Sequence, residues 1–119
     1  MSADLYNSKA RKREMKKYVV YTTGEFDRDY KKLDKSLRIQ VDKEIEQLEN
    51  NPYASKPLSY DFFREKKIRN YRIYFLIYDD FLIVFVIAIS DKKNQQRTIN
   101  TIKALIPFYK EEVKKKLNL

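Results

Sequence analysis

The chain has 119 residues, 26 of them Lys or Arg and 17 Asp or Glu, for a formal charge of +9. That length sets an expectation of one domain with one modest core, and the cationic excess points to a polyanionic partner, nucleic acid before a membrane surface. With no cysteine and no histidine, Cys/His zinc sites, disulfides, thiol nucleophiles and His general bases are excluded, so acid–base chemistry must use Lys, Tyr, Asp or Glu with Arg as the electrostatic group.

Residues 1–17 are polar, with six cations between Lys9 and Lys17 against the single acid Glu14. They read as a solvated tail ahead of one domain over 18–119. No apolar leader core is visible near the start, and the longest apolar run, Phe81 to Ile89, has nine residues, too few to span a bilayer as a helix. A cytoplasmic protein without a membrane partner is expected, in keeping with the missing cysteines.

Tyr18-Val19-Val20-Tyr21 is β-branched and aromatic and predicts a short strand, with Gly24 as punctuation after it. From Phe26 the period changes. Phe26, Tyr30, Leu33 and Leu37, then Val41, Ile45 and Leu48, recur every three or four residues and predict two helices, about 25–34 and 36–50. Asp34 and Ser36 are N-cap residues between them, and Asn50-Asn51-Pro52 ends the second. Residues 52–59 form a connecting loop. Three strands are then expected at about 60–67, 70–79 and 81–90, with Asp79-Asp80 as a tight turn. Alternation in the middle strand sends Ile73, Phe75 and Ile77 one way and Arg72, Tyr74, Leu76 and Tyr78 the other. The last strand is apolar on both faces and should lie inside the sheet. Ile99, Ile102 and Ile106, then Tyr109, Val113 and Leu117, give a C-terminal helix that Pro107 should kink or divide. The fold class is α+β: an antiparallel sheet of about four strands, covered on one face by the N-terminal helical hairpin, with a C-terminal helix.

The segment Arg64 to Tyr74 holds cations and phenols on strands. Arg64 and Lys66 share one face of their strand, and Arg72 and Tyr74 share one face of the next. A three-residue loop at Ile68-Arg69-Asn70 would set Lys66 opposite Arg72 and Arg64 opposite Tyr74; a two-residue loop would send the two pairs to opposite faces. Like charges directly opposite cost stability, so such a pairing implies a phosphate between them. Cleavage of RNA by its own 2′-hydroxyl needs a base, a cation against the phosphate and an acid. Crowded cations favour the neutral form of a Lys, and Arg clamps phosphate.

The run from Tyr18 to about Leu105 resembles the RelE/ParE superfamily of toxins from type II toxin–antitoxin modules. The resemblance rests on Phe26-Asp27-Arg28-Asp29-Tyr30-Lys31-Lys32-Leu33, the helix end from Ile45 to Pro52 and Lys56-Pro57-Leu58. It extends through Asn70-Tyr71-Arg72-Ile73 and the run Val84 to Lys93. It implies a sheet packed on a helical hairpin and, for the RelE branch, a ribosome-dependent mRNA endonuclease. By position it assigns Arg64, Lys66, Arg72 and Lys92 as catalytic cations; Lys67, Arg69, Tyr74, Lys93 and Arg97 beside them are expected to contact RNA. Lys92 stands where the family usually has an arginine, and Thr98 where it has a tyrosine. The implied partners are a cognate antitoxin, the ribosome and mRNA, with no metal and no cofactor. The ParE branch implies instead a non-enzymatic inhibitor of DNA gyrase; a basic RNA-binding domain without cleavage activity is the third reading.

Overall fold

A computed structural model describes residues 17–119; all but Lys17 of the expected basic tail, 1–17, lies outside the described residues. The chain runs through β1 (Val19–Thr22), α1 (Gly24–Lys31), α2 (Lys35–Leu48), β2 (Lys56–Pro57), β3 (Phe63–Ile68), β4 (Tyr71–Tyr78), β5 (Ile83–Asp91) and α3 (Gln95–Lys116). Single 3-10 turns stand at Pro52–Ala54, Asp79–Phe81 and Lys92–Asn94. The five strands form one sheet in the order β1-β5-β4-β3-β2. Consecutive strands from β2 to β5 are antiparallel, and β1 joins the edge of β5 in parallel. The sheet is thus larger than four strands and mixed: a two-residue edge strand forms inside the expected loop, and β1 takes the free side of β5. No helix among the described residues is long and apolar enough to cross a membrane.

Both helices of the hairpin start where their caps dictate. Thr23 Oγ1 accepts from the Phe26 amide at 3.0 Å, and Asp34 Oδ1 accepts from the Leu37 amide at 2.8 Å. Each satisfies an N–H that the first turn leaves without a helical partner. Gly24 therefore sits in the first helical turn rather than ending the strand. Phe26, Leu37, Val41 and Leu48 face Ile73, Phe75, Val84 and Val86 and build one core on this side of the sheet.

The opposite face is also covered, which corrects the single-sided expectation. Ile99, Ile102 and Val113 of α3 are buried against Phe63, Leu76, Ile83 and Phe85. The helix continues through Pro107 without dividing. A helix-interior proline costs about 3 kcal/mol, whereas burying three aliphatic side chains returns roughly 2 kcal/mol each. Residues 102, 106, 109, 113 and 117 keep one apolar stripe across the proline, so tertiary packing overrides the local penalty.

One irregularity positions the end of the sheet. Tyr74 pairs with Ala88 but Phe75 pairs with Val86, so Ile87 is an extra residue in β5. A bulge of this kind reverses the alternation beyond it. Ser90 is thereby turned to the α3 face, directly opposite Arg72.

Candidate functional site

The β3–β4 hairpin decides which cations meet. Ile68 pairs with Tyr71, leaving only Arg69 and Asn70 in the loop, and Lys67 pairs with Arg72. Arg69 adopts φ 54°, a conformation that costs a non-glycine residue and is rare without a compensating contact. Its guanidinium is held by Ser36, with Nη2 donating to Oγ at 2.5 Å. The two-residue loop places Lys67, Arg72 and Ser90 in one row across the α3 face, with neighbouring Cβ atoms about 5 Å apart.

This row opens into a cleft of about 380 Å³ lined by Lys67, Arg69, Asn70, Arg72, Asp91, Lys92 and Lys93. Five cations stand against one carboxylate. The lysines at 92 and 93 reach the cleft because the chain turns sharply after β5. Asp91 caps that turn, its Oδ1 accepting from the Asn94 amide at 3.0 Å and from Asn94 Nδ2 at 2.9 Å.

Arg72 is the unusual member. It is only 9 % exposed, and its Nη1 is buried without a hydrogen-bond partner. A buried guanidinium nitrogen left unpaired carries a desolvation penalty of about 1–3 kcal/mol. Lys67 directly across the strand adds like-charge repulsion. An anion between the two side chains would relieve both costs, and a phosphate matches the guanidinium fork.

Beside this row the next one, Glu65 and Tyr74, is closed. Tyr74 is fully buried, and its hydroxyl pairs with Ser90 Oγ at 2.8 Å. Burial raises the phenol above its ordinary pKa; Ser90 and Arg72 oppose the rise, while Glu65 and Asp91 add to it. Glu65 is buried and accepts from Gln95 Nε2 at 2.7 Å, tying β3 to the first turn of α3.

The structure brings together Arg72 and Lys92 of the expected catalytic set, with Lys67, Arg69 and Lys93 of the expected RNA contacts. Four other residues lie elsewhere. Arg64 is turned to the α1–α2 face, is 7 % exposed, and spends its guanidinium on the 52–61 loop. It donates to the carbonyls of Asp61 (2.7 Å), Ser55 (2.7 Å) and Tyr53 (3.3 Å), to the Asp61 carboxylate (2.7 Å), and stacks over the Tyr53 ring. Lys66 shares that face and pairs with Glu44 of α2 at 3.6 Å. Tyr74 lies beneath α3, where it cannot stack on a base. Arg97 leaves the cleft for the side of α3, held by Asn94 Oδ1. The physical reason is the same for Arg64 and Lys66: the loop has two residues, so they lie on the opposite face from Arg72. The sequence marks Asp91 only as an acid just before a Lys-Lys pair at a strand end.

Comparisons with known proteins fit this architecture. A family model described as the ParE toxin of the type II toxin–antitoxin system parDE matches residues 8–96. This chain belongs to the ParE toxin family. The match covers the whole sheet and the helical hairpin and stops at the first turn of α3. Among solved structures, the free E. coli RelE toxin carrying two substitutions superposes with a TM-score of 0.64 at 20 % identity, covering 75 % of this chain and 98 % of that one. A chain of the intact E. coli RelBE toxin–antitoxin complex gives 0.57 at 23 %, covering 62 % of this chain and 95 % of that one. The archaeal RelE–RelB complex from Pyrococcus horikoshii gives 0.59 at 12 %, covering 64 % and 96 %. At these identities the structures establish the RelE-like fold, in keeping with a toxin of the RelE/ParE superfamily. Curated proteins give no significant match.

Proposed function

We propose that this toxin is a ribosome-dependent mRNA endonuclease that cuts by attack of a 2′-hydroxyl on the adjacent phosphate. The observation that carries the reading is Arg72, a buried guanidinium with an unpaired nitrogen, opposite Lys67 in a cleft that Lys92 and Lys93 also line. In this reading Arg72 holds the phosphate by its fork, and Lys67 and Lys92 neutralise the charge that builds on the pentavalent phosphorus. Arg69 and Lys93 hold the flanking backbone. Arg64 and Lys66 take no part. A cognate antitoxin, as in the RelBE complexes that share the fold, would silence the toxin by covering the cationic cleft.

The test is to add the purified chain to a translation extract and map mRNA ends. Cuts at fixed positions within codons on translated mRNA are expected; an extract without new ends at any dose contradicts the reading. One observation favours a second: the matching family model is that of ParE toxins. On that reading the chain inhibits DNA gyrase without cleaving RNA. A supercoiling assay on the same preparation then shows inhibition while mRNA stays intact.

A further inference from the structure

The cleft supplies many donors and one acceptor. Protonated lysine and arginine side chains carry no free lone pair, so phosphate-holding groups cannot also remove a proton while they remain cations. Asp91 is the only acidic residue that lines the cleft among the described residues. We infer that Asp91 is the proton acceptor of the cleavage, taking the hydrogen of the attacking 2′-hydroxyl; the inference rests on the endonuclease reading above.

The geometry suits the role. Asp91 is the last residue of β5, a strand held on both sides by β1 and β4. Its Oδ1 is fixed by two bonds from Asn94, and its backbone carbonyl accepts from Ser90 Oγ at 3.1 Å. Its Oδ2 has no hydrogen-bond or ion-pair partner among the described residues. One oxygen is thus anchored and the other free, on a rigid element, which is what a positioned base requires. The charged groups that line the cleft with it are Lys67 from β3, Arg69 from the hairpin loop and Arg72 from β4. Lys92 and Lys93 of the turn stand beside it, and Arg97 of α3 reaches it through Asn94.

The step balances within the cleft. The 2′-O–H proton passes to Asp91 Oδ2 as the 2′-oxygen bonds to phosphorus. The bond from phosphorus to the 5′-oxygen breaks, and that oxygen leaves with the electron pair. A lysine ammonium of the cleft, Lys67 or Lys92, protonates it. The products are a 2′,3′-cyclic phosphate and a 5′-hydroxyl end; Asp91 returns its proton to solvent and the lysine regains one.

The experiment uses the full chain on ribosome-bound mRNA, with single-turnover cleavage rate and ribosome affinity measured separately. Asp91→Asn keeps a capping oxygen for Asn94 and removes the basic carboxylate. The cleavage rate is expected to fall about 100-fold or more. Affinity should stay equal or tighten, because one negative charge has left a cationic cleft, and the melting temperature should hold. Asp91→Ser, a second capping residue without a carboxylate, should give the same loss. A rate for Asp91→Asn within about threefold of wild type overturns the inference. So does a loss of cleavage that comes with weaker binding and a lower melting temperature, the mark of a structural cap. Wild-type protein that produces no 5′-hydroxyl ends at all overturns the endonuclease reading instead.

Discussion

Two buried arginines on adjacent strands define two regions of this molecule. Arg64 and Arg72 are 7 % and 9 % exposed, so solvent access does not separate them. At the Arg64 end every direction of the guanidinium finds a carbonyl, a carboxylate or the Tyr53 ring. That region extends to Asp79, whose two carboxylate oxygens accept from Tyr18 at 2.6 Å and from Tyr53 at 2.8 Å. At the Arg72 end the guanidinium has an orphaned nitrogen, a lysine directly opposite and three further cations at the rim of the same cleft. The first region is saturated and works as a clamp between the 52–61 loop, β3 and the β4–β5 turn. The second keeps unspent hydrogen-bonding capacity that an anion would use. Burial of an arginine therefore says little about its role until its partners are counted.

The two arginines should differ most when each is truncated, and Arg72 shows the larger effect on activity. Arg72→Ala should cut mRNA cleavage about 100- to 1,000-fold, the usual cost of removing one group that stabilises transition-state charge. Its unfolding free energy should move by less than about 1 kcal/mol, because no protein hydrogen bond is lost. A large loss of stability there would show that Arg72 is as structural as Arg64. Arg64→Ala should do the reverse. Leaving three carbonyls without a donor is expected to cost roughly 3 kcal/mol in urea unfolding, with cleavage by the folded fraction unchanged. Arg64→Lys should recover little, since an ammonium cannot span that fork of acceptors.

The smallest effect is expected at high pH and belongs to the saturated region. Burial and the Asp79 hydrogen bond push the Tyr18 phenol up from 10 to about 12, and the same causes, burial first, raise Tyr53 as well. A pKa raised on folding means the unfolded chain loses its proton first. The stability from these phenols is therefore fully present below pH 10 and is lost as pH climbs towards 12. Urea midpoints at pH 9 and 11 should show this fall, and Tyr18→Phe should make it shallower. An unchanged slope in Tyr18→Phe would remove Asp79 from the clamp.

Much of the fold was legible in the residues because local rules agreed with one another. The three- and four-residue spacing from Phe26 to Leu48 and the Asp34 cap placed both helices of the hairpin, and the alternation of β4 assigned its faces. Three features were hidden. The hairpin loop carries Arg69 at a positive φ where glycine or asparagine would have announced a two-residue turn, so the sequence alone leaves open whether Arg64 and Lys66 share a face with Arg72. The bulge at Ile87 leaves no compositional mark in an all-apolar strand, yet it turns Ser90 to the site. Tyr74 was assigned to the correct face, but α3 covers that face once packing outweighs Pro107. A cation does stand opposite Arg72, but it is Lys67 rather than Lys66.

Consecutive lysines on opposite faces of β3 allow a direct test of whether phosphate is held on the α3 face by Lys67, Arg72 and Lys92. Lys66 and Lys67 are consecutive, both cationic, and point to opposite faces of β3. Charge reversal at each, Lys66→Glu and Lys67→Glu, should be compared for cleavage of translated mRNA at equal folded concentration. Lys67→Glu is expected to abolish cutting, while Lys66→Glu, which turns the half-exposed pair with Glu44 into a like-charge contact at a cost of about 1 kcal/mol, keeps it within a few-fold of wild type. Cutting that survives Lys67→Glu and disappears with Lys66→Glu would contradict that placement of the phosphate.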